Sequence, residues 1–293
     1  MATLNVAVAP RWRRRVRTAG TRRRLPIPSR IAGAVILLLV LAAVLAPLLT
    51  SQSPTVGALG NRLLGVGTPG HVLGTDGQGR DILARLLYGA RPSLLTGLIP
   101  VAIAGLIGTF LGVVAGLGSR GTHGVVMRTL DVFYAFPAVL LAIAIAAALG
   151  SGVSNAIIAL SVILIPPIAR VAEAETGRLR NADFMEAARA SGSSRWSLAY
   201  RQVLPNIAPA VVVYCTALIG LSIVYAAGLS FLGLGIAPPA AEWGLMISDL
   251  QQYMFTTPEL LIVPALAIVV ASVAFNVLGD GLGSYFNVRS EMA

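Results

Sequence analysis

The stretch "EAARASGSSRWSLAYRQVLPN", Glu186 to Asn206, sits between runs that are almost pure hydrocarbon. It holds four of the chain's few charges, Glu186, Arg189, Arg195 and Arg201, together with a glycine and a proline. Asn181 or Asp183 can cap a helix ahead of it, because their side chains accept bonds from free N–H groups. Phe184–Ser191 then reads as helix, with Met185, Ala187 and Ala188 as a contact face. Gly192 supplies a left-handed stop. Ser193 or Ser194 caps a second helix reaching about Val203, and Pro205 ends it by pushing Leu204 out of helical geometry. The pattern is helix, glycine turn, helix, and whatever lies on either side must be anchored in something oily.

The rest of the chain says what that is. Of 293 residues, 56% are hydrophobic and 12% charged, and the mean hydropathy is +0.80. A soluble domain carries roughly 25% charged residues. About 30 Å of hydrocarbon takes roughly 20 apolar residues as helix, and six such spans can be placed. They are Ile31–Thr50, Ser93–Leu117, Thr129–Gly150, Val153–Ala169, Ile207–Gly235 and Pro258–Gly279. Pro100, Pro166, Pro167 and Pro264 are expected to interrupt these spans.

Arginine placement sets the orientation. Of 22 arginines, nine precede Ile31, two lie in 118–128, six in 170–205 and one is Arg289, all on one side of a six-span chain. The other four lie between Arg62 and Arg91. Both termini and the opening stretch are therefore expected in the cytoplasm. The N-terminal tail, with "RWRRRVRTAGTRRRLPIPSR" (Arg11–Arg30), suits anionic headgroups, each nearby Arg being worth about 1 kcal/mol. Its "TRRRLPI" resembles a twin-arginine export signal, but no small-residue cleavage site follows, so the first span is expected as an uncleaved anchor.

Several chemistries drop out. One cysteine, Cys215, and two distant histidines, His71 and His123, make no metal cage. No nucleophilic triad is recognisable. A phosphate-binding G-x-x-x-x-G-K-[ST] loop needs a lysine, and this chain has none, so if ATP drives it another chain binds the nucleotide. No Asp, Glu or Arg sits near the middle of a span, which argues against an ion-coupled secondary transporter. A DNA-reading helix-turn-helix fits the opening stretch loosely, but about thirty-five residues between two spans leave no room for its support.

Outside the membrane, "HVLGTDGQGRDILARLLYGAR" (His71–Arg91) has turn glycines at Gly74, Gly77 and Gly79. A short interfacial helix should follow, with Ile82, Leu83, Leu86 and Leu87 on one face and Asp81 one turn from Arg85. Gly105, Gly108, Gly112 and Gly116 form a stripe that allows close helix approach, within the chain or between subunits.

Glu186-Ala187-Ala188, Gly192 and Leu204-Pro205 resemble the EAA loop of ABC importer permeases, EAA-x3-G-x9-I-x-LP, with Gln202 at the isoleucine position. "LGTDGQGRDILARLLYGAR" (Leu73–Arg91), "RTLDVFYAFPAVLLAIAI" (Arg128–Ile145), "LSFLGLGIAPPAAEWG" (Leu229–Gly244) and "FNVLGDGL" (Phe275–Leu282) are similar to segments of peptide-transport permeases. The chain departs from them at Tyr225-Ala226-Ala227-Gly228, where the family often carries an acid, and at Ala240 and Ala241, which replace a second proline region. The resemblance covers about residues 70 to 285 and is to the C-type permease subunit of bacterial dipeptide or oligopeptide ABC importers.

That resemblance implies an all-α membrane protein of six transmembrane helices with the type I ABC importer permease fold. It divides the chain into a basic cytoplasmic tail (1–30), a first transmembrane helix (31–50), an extracytoplasmic segment with an interfacial helix (51–92), a core permease domain (93–285) containing the coupling loop 181–206, and a cytoplasmic tail (286–293). Glu186, Ala187, Ala188, Gly192, Arg195, Leu204 and Pro205 would form the loop gripped by an ATPase. Asp76, Arg80, Asp81, Pro238, Pro239 and Trp243 would lie at the outer segment or pore mouth. Tyr214, Ser222, Tyr225 and Asn276, polar groups inside spans, are the pore candidates. The implied function is inward transport of di- or oligopeptides, or in relatives of nickel chelates or glycosides, with no covalent catalysis and no cofactor on this chain. ATP and Mg would sit on two ATPase subunits or domains. The other implied partners are a paralogous permease, an extracytoplasmic peptide-binding protein and the lipid bilayer of the bacterial inner membrane; nucleic acid is not one.

Overall fold

A computed structural model describes residues 25–286; the arginine-rich tail and Arg289 lie outside the described residues. Eleven α-helices occur among them. Five are long and apolar enough to cross a membrane, and a bent pair makes a sixth span if counted as one.

Helix α1 (Ile27–Val44) is followed by one turn, α2 (Ala46–Leu49). It packs on the last helix, where the Ser29 hydroxyl donates to the Val277 carbonyl at 3.2 Å. Its C-terminal carbonyls, which no helical N–H can reach, are met by Arg91, whose Nε and Nη2 donate to Ala43 and Val44 at 2.6 and 3.0 Å.

Helix α3 (Ile82–Leu117) runs 36 residues without a break. The short interfacial helix expected at Ile82–Leu87 is its first turns, continuous with the second span. The Asp81 carboxylate caps it by accepting from the Ala84 N–H at 2.7 Å, and Asp81 Oδ2 lies 2.9 Å from His71 Nδ1. Asp81 is therefore committed to the cap and to His71, and Arg85 points elsewhere.

The third span is an elbow. Helices α4 (Arg120–Tyr134) and α5 (Ala138–Leu149) meet at 87°. Pro137 lacks an N–H and forces Phe136 out of helical geometry. Helix α4 carries polar residues that tie it to α6: His123 Nε2 lies 3.1 Å from Glu173 Oε1, and Arg170 pairs with Asp131 and stacks over the Tyr134 ring.

Helix α6 (Val153–Leu179) extends ten residues past the expected end of the fourth span and contains Pro166 and Pro167 without interruption. Pro100 and Pro264 likewise lie inside unbroken helices. The expected interruptions are absent because tertiary packing holds these helices through the lost hydrogen bonds. The α3–α6 pairing is the most extensive in the chain, and the glycine stripe explains it. A Cβ on Gly108 would stand 2.9 Å from the Ile165 carbonyl oxygen, one on Gly112 2.6 Å from the Ala172 Cβ, and one on Gly116 2.6 Å from the Thr176 Cβ. Three of the four glycines thus serve packing within the chain. Gly105 faces only the Cys215 sulfur, at 3.4 Å.

Helices α7 (Asp183–Ala190) and α8 (Arg195–Leu198) make up the opening stretch. A π turn, Ala199–Val203, leads from α8 into α9 (Leu204–Phe231). Pro205 therefore does not end the second helix, and Leu204 keeps helical angles (φ −52, ψ −47). The wider π turn takes up the misfit that a proline imposes on the carbonyls before it. Helix α10 (Trp243–Leu250) and α11 (Pro258–Tyr285) complete the chain.

Candidate functional site

Helix α7 is a two-turn helix between the far end of α6 and α8. Asp183 and Glu186 lie in its first turn and Arg189 in its last, the arrangement the helix dipole favours. The expected caps Asn181 and Asp183 are not used: the N-cap is Ala182, with no side-chain bond. Met185 is fully buried and joins the core cluster, so it is the root of the helix rather than part of its contact face. Ala188 is half-buried, while Phe184, Glu186, Ala187, Arg189 and Ala190 are exposed. Among the described residues no hydrogen bond or ion pair holds the Glu186 carboxylate.

The stop is a Schellman motif. The Gly192 N–H donates to the Arg189 carbonyl at 2.9 Å and the Ser193 N–H to the Ala188 carbonyl at 3.1 Å, with Gly192 at φ +80. These bonds satisfy the helix's last carbonyls. Arg189 Nη2 adds a bond to the Arg180 carbonyl at 2.9 Å, bracing α7 against the end of α6. On the other side of the turn, the Ser194 hydroxyl accepts from the Ser197 N–H at 3.2 Å. Leu198, Ala199 and Val203 then insert into the core. The loop is thus rooted at Met185, Leu198 and Val203 and presents Glu186, Ala187 and Gly192 outward. Arg195 and Pro205 are also exposed, and Leu204 is half-buried.

The outer candidates behave differently. Asp76, Arg80, Asp81 and Trp243 are all buried, and their side chains are engaged within the chain. Arg80 Nε meets Asp76 Oδ2 at 2.6 Å, and the Arg80 and Arg85 Nη2 atoms meet Asp249 Oδ2 at 2.8 and 3.0 Å. This cluster ties the outer segment and the start of α3 to α10. A second tie lies beside it. Glu242, 1% exposed, accepts from the Gly244 and Leu245 N–H groups at 3.0 and 2.8 Å and from the Ser93 hydroxyl at 3.0 Å. Trp243 Nε1 donates to the Leu86 carbonyl at 3.0 Å. Of the outer candidates, only Pro238 and Pro239 are exposed. The sequence paired Arg85 with Asp81 instead and gave Asp249, Glu242 and Ser93 no role, although acids in an otherwise uncharged loop were the available signal.

The pore candidates do not converge. Ser222 is fully buried, with its hydroxyl 3.5 Å from the Thr96 carbonyl, so it joins helices. Tyr214 and Tyr225 are half-buried on α9. Asn276 is exposed on α11 and donates to the Ser272 carbonyl at 2.9 Å. Among the described residues no group of three His, Cys, Asp or Glu could hold a metal ion.

The chain is 43% identical over 212 residues to a protein of Pectobacterium atrosepticum named glutathione transport system permease protein GsiD, covering 72% of this chain and 70% of that protein. It is 40% identical over 243 residues to one of Alkalihalophilus pseudofirmus named dipeptide transport system permease protein DppC, covering 83% and 80%. In fold it is similar to a chain of the MetNI methionine ABC transporter, with a TM-score of 0.57 at 20% identity, over 70% of this chain and 95% of that one. A permease of this kind is a multi-pass inner-membrane subunit that catalyses no reaction itself. Its ATP is bound by a partner ATPase, and a binding protein completes the importer. Residues 86–291 match the model of one family, and the chain belongs to it: the binding-protein-dependent transport system inner membrane components.

Proposed function

We propose that this chain is one half of a channel that passes di- or oligopeptides, and peptide-like solutes such as glutathione, inward. The observation that carries this reading is the 40% identity to a dipeptide permease over 83% of the chain. The 43% identity to a glutathione permease supports the same class of solute, since glutathione is itself a small peptide. A paralogous permease supplies the other half. Both termini and the loop 181–206 face the cytoplasm, in keeping with the arginine bias, and residues 51–92 face outward.

In this reading α7 is the coupling helix. A short helix with two adjacent alanines and two exposed carboxylates, Asp183 and Glu186, that have no partner among the described residues fits a groove, and Glu186 supplies a directed bond. The Schellman turn at Gly192 fixes the angle at which α7 leaves the membrane domain, so motion of an ATPase reaches α9 through α8. The outer arginine–aspartate cluster holds the extracytoplasmic cap as one piece with α3 and α10. The exposed Pro238 and Pro239 then offer a stiff rim to the binding protein. Tyr214 and Tyr225 on α9 and Asn276 on α11, which do not converge, are offered as separate contacts with the channel.

The test is uptake of labelled di- to hexapeptides and of glutathione in a strain lacking this chain, alongside co-purification of the ATPase. Restored uptake of at least one peptide by the wild-type chain, and loss of ATPase co-purification with Glu186→Ala and Gly192→Pro combined, is expected. Restored uptake of a nickel chelate or glycoside and of no peptide would overturn the substrate class. Undiminished peptide uptake in the double variant would overturn the coupling role.

A further inference from the structure

Three arginines converge where the coupling loop meets the membrane domain. Arg180 at the end of α6, Arg189 on α7 and Arg195 at the start of α8 line a pocket of about 380 Å³ with Ser193, Leu117 and Leu198. No carboxylate lines it, and among the described residues none of the three guanidiniums forms a salt bridge. Each guanidinium carries five donors, and the one bond recorded here, from Arg189 to the Arg180 carbonyl, leaves most of them open.

Directly beside this pocket begins a groove of about 940 Å³ between α3 and α9. Leu117 and Arg195 line both cavities. The groove is walled by apolar residues such as Leu106, Phe110, Val113, Ala208 and Val212. It follows α9 from Leu204 to Ile219, a rise of about 22 Å at 1.5 Å per residue. One leaflet of a 30 Å hydrocarbon core is about 15 Å deep, so the groove can take a leaflet's acyl chain along its whole length. Tyr214 and Tyr225 are not among its lining residues.

Two aromatics fix the level. Trp196 and Tyr200, one turn apart at the foot of the groove, are 70% and 73% exposed, and Trp196 stacks on Phe110 with centroids 6.4 Å apart. Exposed Trp and Tyr at a span's end mark the headgroup level of a bilayer. Arg195, next to Trp196, therefore sits where phosphates are.

We propose that this is a site for an anionic phospholipid: its phosphate in the Arg180–Arg189–Arg195 pocket, an acyl chain in the α3–α9 groove. Basic pockets between spans on the cytoplasmic side suit such headgroups. The bound lipid joins α6, α7 and α8 through one phosphate and so braces the coupling loop, a role that rests on the coupling reading above; the binding itself does not.

The experiment uses the whole transporter purified in detergent and offered equal amounts of phosphatidylglycerol and phosphatidylethanolamine, with retained lipid counted by native mass spectrometry. The wild type is expected to retain phosphatidylglycerol selectively. One guanidinium is worth about fivefold, so R180Q/R189Q/R195Q should weaken that retention by about 100-fold and leave phosphatidylethanolamine unchanged. Gly105→Leu tests the groove with every arginine in place. Gly105 lines the groove and its Cβ position meets only the Cys215 sulfur, at 3.4 Å, so the larger side chain extends into the cavity, and it too should shed phosphatidylglycerol. Unchanged retention in either variant overturns the proposal. So does release of the paired permease by Gly105→Leu with lipid retained, which would make the groove a seat for a protein helix. Peptide uptake by the same preparations after reconstitution into proteoliposomes separates the two readings, because selective lipid retention without peptide uptake would refute the transport reading alone.

Discussion

Gly192 allows the coupling reading to be tested by a graded series. A Cβ placed there meets nothing within 4 Å, so within this chain a small substitution acts through the backbone. At φ +80 an ordinary L-residue is disfavoured by about 1–2 kcal/mol, a factor of about 5–30 in the population of the native turn. Asn visits the left-handed region more readily than Ala, so its loss should be smaller. Pro removes the N–H that bonds the Arg189 carbonyl at 2.9 Å and fixes φ near −65°, so it cannot form the turn at all. ATP-driven peptide uptake, measured in proteoliposomes containing the whole transporter, should fall in the order Gly, Asn, Ala, Pro. The Pro variant should hydrolyse ATP without moving solute. Wild-type uptake by Gly192→Pro would refute the reasoning. So would Ala matching or exceeding Asn, since that would mean the angle of this turn does not matter.

Two further outcomes test the frame around the loop. Gly112→Val should cost about 1–3 kcal/mol or more by overpacking, because its Cβ would strike the Ala169 carbonyl and stand 2.8 Å from the Glu173 nitrogen; Gly105→Ala should be nearly neutral. Equal melting temperatures for these two purified variants would contradict the α3–α6 packing. Asp249→Ala leaves Arg80 and Arg85, 2% and 1% exposed, facing Asp76 alone. Breaking a buried pair costs about 3–5 kcal/mol, and toward the low end here because Asp249 is itself 24% exposed. Thermal unfolding should show a clear drop that Arg85→Met partly restores in the double variant, and a drop no larger than that of an exposed surface change would refute the clamp.

Hydropathy alone located the membrane helices, because a span must satisfy its backbone within itself and the sequence shows that directly. The glycine stop and the Ser194 cap were equally legible, since each follows from a local rule. Proline was not. Pro137 breaks its span into an elbow, whereas Pro166 and Pro167 sit in an unbroken helix. The difference lies in the neighbours: α6 is held by the glycine face of α3, while α4 has polar groups that tie it to α6. The outer cluster was also hidden. Arg85 reads as a local partner of Asp81, and only the fold shows that its partner is Asp249, 164 residues away. Met185 looked like part of a contact surface for a similar reason, because a two-turn helix does not reveal by pattern which side is rooted.

The run from Arg195 through the π turn to Phe231 is one helix of 37 residues, about 55 Å long at 1.5 Å per residue. It begins three residues after the Gly192 turn and has no loop along its length. In the proposed orientation it can serve as a lever: a tilt of about 5° at the end nearest Gly192 swings the opposite tip through roughly 5 Å, given that length. On that proposal small strokes at the loop become large ones at the far end, with the wide turn at Ala199–Val203 and Pro209 just beyond it as the softer points of the shaft.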